Sequence, residues 1–197
     1  MKIIILAAGR TDSGNYGFPA NSKPKCLFHF KGEILLERQV KMLRAAGLND
    51  ITIVVGYQEE LIEQFNKVKN LGLKLVYNPT GASDVKPAWR KGLDSVRAGI
   101  QGVDDDVLII PGDVYLTVNG LKMVLADNRS VLGAGGHGFQ LFKLRRNVLP
   151  QIRKSDKLGL GYPLLDFIKA DNGVTIQTDI IDVDWYNQTD EGKHNLP

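Results

Sequence analysis

The sequence predicts an α/β protein, a doubly wound three-layer sandwich on a mostly parallel, mixed sheet. Three observations point there. Short aliphatic runs that are apolar on both faces, such as Lys2–Leu6 and Ile51–Val55, read as central strands of a parallel sheet. These runs alternate with segments of helical apolar spacing as far as about residue 127, and such alternation builds a parallel sheet through right-handed crossovers. The chain has 197 residues, 43% of them hydrophobic, which suits one domain, 1–197, with a core of its own.

The elements follow in order. Lys2–Leu6 is the first strand. Residues 10–24, rich in Gly, Ser, Asn, Asp and Pro, form a loop. Cys26–Phe30 is a short strand, with a turn at Lys31-Gly32. Glu33–Ala46 is a helix because Leu36, Val40, Leu43 and Ala46 recur on one face, and Gly47 stops it. Ile51–Val55 is the second buried strand. Gln58–Asn66 is a helix carrying Leu61, Ile62 and Phe65 on one side. Leu73–Tyr77 is a strand that ends in Asn78-Pro79. Lys86–Ala98 is a helix with Pro87 in its first turn. Val107–Ile110 is a strand that ends in Pro111-Gly112-Asp113. Beyond residue 127 the pattern changes: a glycine cluster at Gly133–Gly138, a strand at Phe139–Leu144, a helix at Tyr162–Ala170 and an alternating strand at Val174–Val183. These are expected to complete the same sheet with a partly antiparallel edge.

Composition excludes several classes. A net charge of +3, with both signs spread along the chain, gives no basis for nucleic-acid or membrane binding. The basic cluster Lys143-Leu144-Arg145-Arg146 reads as a solvated face. The single cysteine, Cys26, permits neither a disulfide framework nor a cysteine zinc site, and three scattered histidines show no ligand spacing. The N-terminal apolar run is shorter than the roughly 7–15 residues of a signal-peptide core. No segment reaches the roughly 20 apolar residues that span a bilayer. A cytoplasmic protein is expected, and a homodimer is left open.

In an open α/β sheet, ligands bind beyond the carboxyl ends of the strands, where strand order reverses. Three strand ends carry polar or glycine-rich signals: Ala7-Ala8-Gly9-Arg10, Asn78-Pro79-Thr80-Gly81-Ala82-Ser83 and Pro111-Gly112-Asp113. Ala7-Ala8-Gly9 lets a backbone approach phosphate oxygens, or makes a tight turn. It is neither a Walker A loop nor a dinucleotide fingerprint. Lys25, held by Pro24, offers a compact cation to a phosphate, or is a surface lysine. Asp113 can bind Mg²⁺ beside substrate phosphates, or cap the next turn. Asp104-Asp105-Asp106 lies at the opposite end of the same strand and reads as solvated. Near the C-terminus, Asp182, Asp184 and Asn187 could each close a metal site with Asp113, or belong to a charged edge strand and its turn. Trp89, Tyr115, Trp185 and Tyr186 could form an aromatic cage for a quaternary ammonium, or be core and edge aromatics.

Together, "ILAAGR", "KPKCL", the stretch from Gly32 to Phe65 and "LIIPGDVYL" resemble the nucleotidyltransferase family that activates sugar phosphates and choline phosphate. This is the MobA-like NTP transferase superfamily, and the chain looks most like its compact cytidylyltransferase branch. The resemblance covers residues 1–117. It implies a nucleotide-diphospho-sugar transferase-like fold, with residues 1–127 binding the nucleotide and 128–197 binding the acceptor and completing the sheet. It also implies a Mg²⁺-dependent enzyme that transfers NMP from an NTP, CTP or else UTP, to a small phosphorylated acceptor. Leu6, Ala7, Ala8, Gly9 and Arg10 would line the nucleotide, and Gly81, Ala82 and Ser83 would lie beside its base or ribose. Lys25 would bridge phosphate oxygens. Asp113 would hold Mg²⁺ together with Asp184 or Asn187.

The chain departs from that pattern where the family has a second glycine and then an arginine, for here Thr11 and Ser13 stand in the loop. Arg10 and Lys23 are the cations placed to take over. Two further readings follow from the same residues: a non-catalytic nucleotide-binding protein on this fold, and a GT-A-like glycosyltransferase that binds a finished nucleotide sugar through a metal carboxylate.

Overall fold

A computed structural model describes residues 1–10, 17–19, 22–82, 92–135, 138–183 and 189–193. Strand β1 (Lys2–Ala7) lies at the centre, and Ile3, Ile4 and Ile5 are all fully buried, as a two-faced aliphatic run requires. It pairs in parallel with β4 (Ile51–Val55) on one side and β6 (Val107–Pro111) on the other. Outside β4 lies β5 (Lys74–Tyr77), also parallel. The full order of the seven-stranded sheet is β10-β8-β9-β6-β1-β4-β5. Here β8 is Val131–Gly135, β9 is Gly138–Leu144 and β10 is Val174–Gln177.

Helices cover both faces. Leu36, Val40 and Leu43 of α1 (Leu35–Ala45), Ile62 of α2 (Glu59–Val68) and Leu121 and Val124 of α5 (Val118–Ala126) pack with Ile3 and Ile5. On the other face, Leu93 and Val96 of α4 (Gly92–Gly99), Ile152 of α6 (Leu149–Lys154) and Leu164 and Ile168 of α7 (Gly161–Ala170) pack with Ile4 and Val54. Each fully buried isoleucine or leucine contributes about 1.5–3 kcal/mol by leaving water. The short α3 (Pro79–Ala82) follows β5 directly.

Several elements differ from expectation. Residues Lys25–Leu27 form a 3₁₀ turn, closed by Leu27 N–H donating to Pro24 O, because Cys26 and Leu27 are drawn into the core. Only β2 (His29–Phe30) is extended, and it pairs antiparallel with β3 (Glu33–Ile34). Lys31 and Gly32 join them with φ of 53° and 78°, the sign that a two-residue hairpin needs. Glu33 and Ile34 are therefore spent on the hairpin, and α1 starts at Leu35. The antiparallel strand is also not at the edge. Strand β9 runs between β6 and β8, and β10 closes that side in parallel with β8. The glycine cluster is itself sheet: a Cβ on Gly133 would sit 3.1 Å from Val124 Cγ2, so glycine lets α5 lie close. The long strand expected over Val174–Val183 breaks after Gln177. The chain is tied back by Thr117 Oγ1 donating to Asp179 (2.6 Å), and β11 (Ile181–Asp182) pairs instead with β7 (Val114–Tyr115). The helix expected from Lys86 is described from Gly92, with residues 83–91 outside the described set.

One surface expectation changes and another holds, since Asp104 and Asp105 are exposed. Lys143 is buried, and its ammonium donates to Leu125 O (3.4 Å) and Asp127 O at the end of α5, where a cation meets unpaired carbonyls. Asp105 pairs with the N-terminal ammonium at 2.6 Å, and Asp106 accepts from Arg146 N–H. Among the described residues, no helix is long and apolar enough to cross a membrane.

Candidate active site

The chain lays β1, β4 and β5 outward in one direction, then crosses back over β1 to place β6 on its other side. Strand order therefore reverses at β1, and the crevice beyond its carboxyl end is the site that such a sheet offers. The register Leu6↔Pro111 sets the ends of β1 and β6 level. Gly112 N–H donates to Leu6 O at 2.8 Å, and a Cβ at Gly112 would lie 2.9 Å from that same oxygen. Gly56, at the end of β4, is held as tightly. Its Cβ would lie 2.8 Å from both Ala8 O and Asn78 O, and Tyr57 N–H donates to Ala8 O. Glycines at these points let the ends of β1, β4, β5 and β6 converge without side chains between them. Gly9 is different. It is exposed, and a side chain there would meet nothing within 4 Å, so its backbone faces open space.

Lys25 leads the 3₁₀ turn under this crevice. Its ammonium lies 3.1 Å from Asp113 Oδ2, and both side chains are about four-fifths buried, at 19% and 24% exposure. A pair so enclosed is screened less than one at the surface. The Asp113 charge also reaches Cys26. Burial, and after it this carboxylate, push the Cys26 thiol up to about 12, which keeps it protonated and inert.

The turn that carries Asp113 is fastened from three sides. Gly112 N–H reaches β1 and Val183 N–H donates to Asp113 O at 2.9 Å. From α1, the buried amide Nε2 of Gln39 donates to Pro111 O at 3.0 Å and Val114 O at 2.7 Å. Asp182 is directly across the β7–β11 ladder from Val114, so register brings this carboxylate close to the Asp113 turn. Asp184, Asn187 and Ser83 lie outside the described residues. Among the described residues, no three His, Cys, Asp or Glu side chains cluster as a metal site. Asp113 still suits Mg²⁺. It is a hard oxygen donor at a strand end, and this ion takes one or two carboxylates with waters and phosphate oxygens.

The other candidates surround this centre. The Arg10 guanidinium lies 4.8 Å from the centre of the Tyr57 ring, a cation–π contact at the rim of β1 and β4. Gly81 and Ala82 end α3 at the close of β5. That corner is set by Asn78, whose Nδ2 donates to Ser95 Oγ (2.9 Å) and whose Oδ1 accepts from Thr80 N–H and Oγ1–H. Tyr115 is an edge aromatic: it packs on Phe30 with 5.0 Å between ring centres, and Arg38 lies 4.0 Å over its face. Trp89, Trp185 and Tyr186 lie outside the described residues.

Two features escaped the sequence reading. Gln39 is one: a polar residue inside the apolar stripe of α1 was its only signal. The other is a C-terminal clamp. Glu191, on α8 (Asp190–Lys193), accepts from Lys23 Nζ (2.9 Å), lies 2.8 Å from His29 Nδ1, and accepts from His29 N–H (3.0 Å). Asp190 accepts from the Lys31 and Gly32 N–H groups at 3.2 and 2.6 Å. Burial raises the Glu191 carboxyl, but the hydrogen bonds from Lys23 and His29 outweigh it and bring the group down to about 2. Lys23 thus places its charge at the clamp, while Arg10 stays at the crevice.

The chain is similar to known proteins along most of its length. The family model of the MobA-like NTP transferase domain matches residues 3–164. The chain is 42% identical over 80 residues to the choline-phosphate cytidylyltransferase of Streptococcus pneumoniae, covering 40% of this chain and 32% of that protein. It is 27% identical over 128 residues to the CMP-5'-(3-aminopropyl)phosphonate synthase of Streptomyces rubellomurinus, covering 64% of this chain and 19% of that one. The chain thus spans a third or less of the length of these relatives. The solved structure of the CTP:phosphocholine cytidylyltransferase from Streptococcus pneumoniae superimposes with a TM-score of 0.68 over 95% of both chains at 18% identity. The fold is that of the nucleotide-diphospho-sugar transferases.

Proposed function

The chain belongs to the MobA-like NTP transferase domain family, and on that premise we propose that it is a Mg²⁺-dependent cytidylyltransferase. It joins CMP from CTP to a small phosphorylated acceptor and releases pyrophosphate. The observation that carries the reading is the meeting of Lys25 and Asp113, 3.1 Å apart, beyond the strand where the sheet reverses.

In this reaction an acceptor phosphate oxygen forms a bond to the α-phosphorus of CTP. The bond from that phosphorus to the α–β bridging oxygen breaks, and the electron pair leaves with pyrophosphate. The acceptor oxygen is already anionic at neutral pH, so no general base is needed. The work is positioning and charge neutralisation. The backbone of Leu6 to Gly9 lets the triphosphate approach, with Arg10 at its rim in place of the arginine that the loop lacks. Lys25 puts a compact cation on the phosphate oxygens as charge builds. Asp113 would hold Mg²⁺, with Asp182, Asp184 or Asn187 as its second ligand. When bound, that ion supplies further neutralisation of the triphosphate. Gly81, Ala82 and Ser83 would lie beside the base or ribose, as the family resemblance implies. The acceptor class follows the names of the relatives, as a choline-phosphate-like or phosphonate head group or a sugar phosphate.

The test is a screen for pyrophosphate release with each of the four NTPs, Mg²⁺ and a panel of phosphocholine, aminoalkylphosphonates and sugar 1-phosphates. Release should require CTP and one acceptor class, and should fall about 10²–10³-fold in Lys25→Ala and Asp113→Ala. No release with any pair would overturn the proposal, as would release indifferent to both variants. CTP binding without turnover would identify a binding protein. Transfer from a nucleotide sugar without NTP use would identify a glycosyltransferase.

A further inference from the structure

We propose that Gln39 is a positioning residue that aims Asp113 at the metal, acting through the turn between β6 and β7. The inference rests on the cytidylyltransferase reading and adds a residue that no signal in the loops reveals.

Gln39 sits on the buried stripe of α1 between Leu36, Val40 and Leu43, with no exposed surface. Its two N–H bonds go to Pro111 O (3.0 Å) and Val114 O (2.7 Å), the carbonyls on either side of Gly112-Asp113. Its own carbonyl Oε1 is buried and accepts no hydrogen bond among the described residues. The orientation is not interchangeable, because a flipped amide would press its oxygen against two carbonyl oxygens. A buried acceptor left without a donor is destabilising. An apolar side chain of the same length would fill the space without that cost, so the amide is poorly explained as packing. It is well explained by its donors. They are the contact that fixes both shoulders of the Asp113 turn to a rigid helix, while Gly112 and Val183 fix only its middle. A carboxylate that must meet a small ion of strict geometry needs such support, and loss of a supporting hydrogen bond around a metal site typically weakens affinity or activity about 10–100-fold.

The experiment compares wild type with Gln39→Met, which keeps length and volume, and Gln39→Asn, which keeps the amide but is one methylene too short to reach. Mn²⁺ is the probe. Its binding in the presence of CTP is measured by titration calorimetry, alongside thermal unfolding and kcat and KM for CTP. Both variants should bind Mn²⁺ about 10-fold more weakly or worse, and lose kcat by a similar factor with little change in KM. Added metal should restore part of the loss. A lowered melting temperature with Mn²⁺ affinity and kcat unchanged would show a purely structural role and overturn the inference. If one variant fails to fold, the other decides. A wild type that binds Mn²⁺ with CTP but turns nothing over would sink the reaction, while the Mn²⁺ affinities of the variants would still judge Gln39. A wild type that binds no Mn²⁺ would overturn both.

Discussion

Lys25 and Asp113 are 88 residues apart in the chain and 3.1 Å apart in space. Each is ordinary alone, and together at a strand end they make the candidate site. Glu191 shows the same dependence on distant partners. Its carboxyl is held at about 2 against an ordinary 4.5, chiefly by Lys23 and His29 acting against burial. A depressed carboxyl stabilises the fold above its unfolded value, and that stabilisation is lost as pH falls toward the folded value. Wild type should therefore lose stability relative to Glu191→Gln between about pH 4.5 and 2, and match it more closely at the bottom of that range. Urea midpoints at several pH values check this. A difference that stays constant with pH would mean the clamp carries no ionic contribution. Lys143 marks the limit of reading charge from sequence. It stands in a basic cluster, yet it is buried because the carbonyls at the end of α5 need a donor.

At the scale of elements, the crevice depends on how closely strand ends approach. Gly56 is pinched between two backbone carbonyls, Ala8 O and Asn78 O, each 2.8 Å from the position of a Cβ. Neither neighbour is a flexible side chain that can swing away. Gly56→Ala should destabilise by about 1–3 kcal/mol through overpacking. It should also weaken CTP binding, because the displaced carbonyl belongs to the Ala7-Ala8-Gly9 loop. Denaturation midpoints and CTP calorimetry together measure both effects, and a variant with unchanged midpoint and affinity would refute the tight approach. The main strands were legible because Ile3, Ile4 and Ile5, or Ile51 to Val55, are apolar on both faces, a pattern that few other structures allow. The first arm of the hairpin and its turn at Lys31-Gly32 were legible, but the return strand Glu33–Ile34 was not. Two-residue strands carry no periodicity, and Glu33 looked like the first residue of the helix that follows.

For the whole molecule, the sequence could place three polar strand ends at one edge, since strands of a parallel sheet all point the same way. It could not order them. That β9 inserts antiparallel between β6 and β8 is set by packing of distant segments, as is the docking of Asp190 and Glu191 on the hairpin. The site was therefore half readable. Lys25, Asp113 and the Ala7-Ala8-Gly9 loop stood out by residue type and spacing. Gln39 did not, because its importance lies in which carbonyls it meets.

The proposed reaction moves CMP from CTP to an acceptor phosphate at Lys25 and Asp113. Its most direct measurement is ³¹P NMR of the protein with CTP, Mg²⁺ and the acceptor selected by the pyrophosphate screen. A new pair of mutually coupled resonances from the P–O–P link of the product should grow with free pyrophosphate and be absent with Lys25→Ala or Asp113→Ala. Formation of CMP and pyrophosphate without a coupled pair would contradict it, as would a coupled pair that grows at the same rate in both variants.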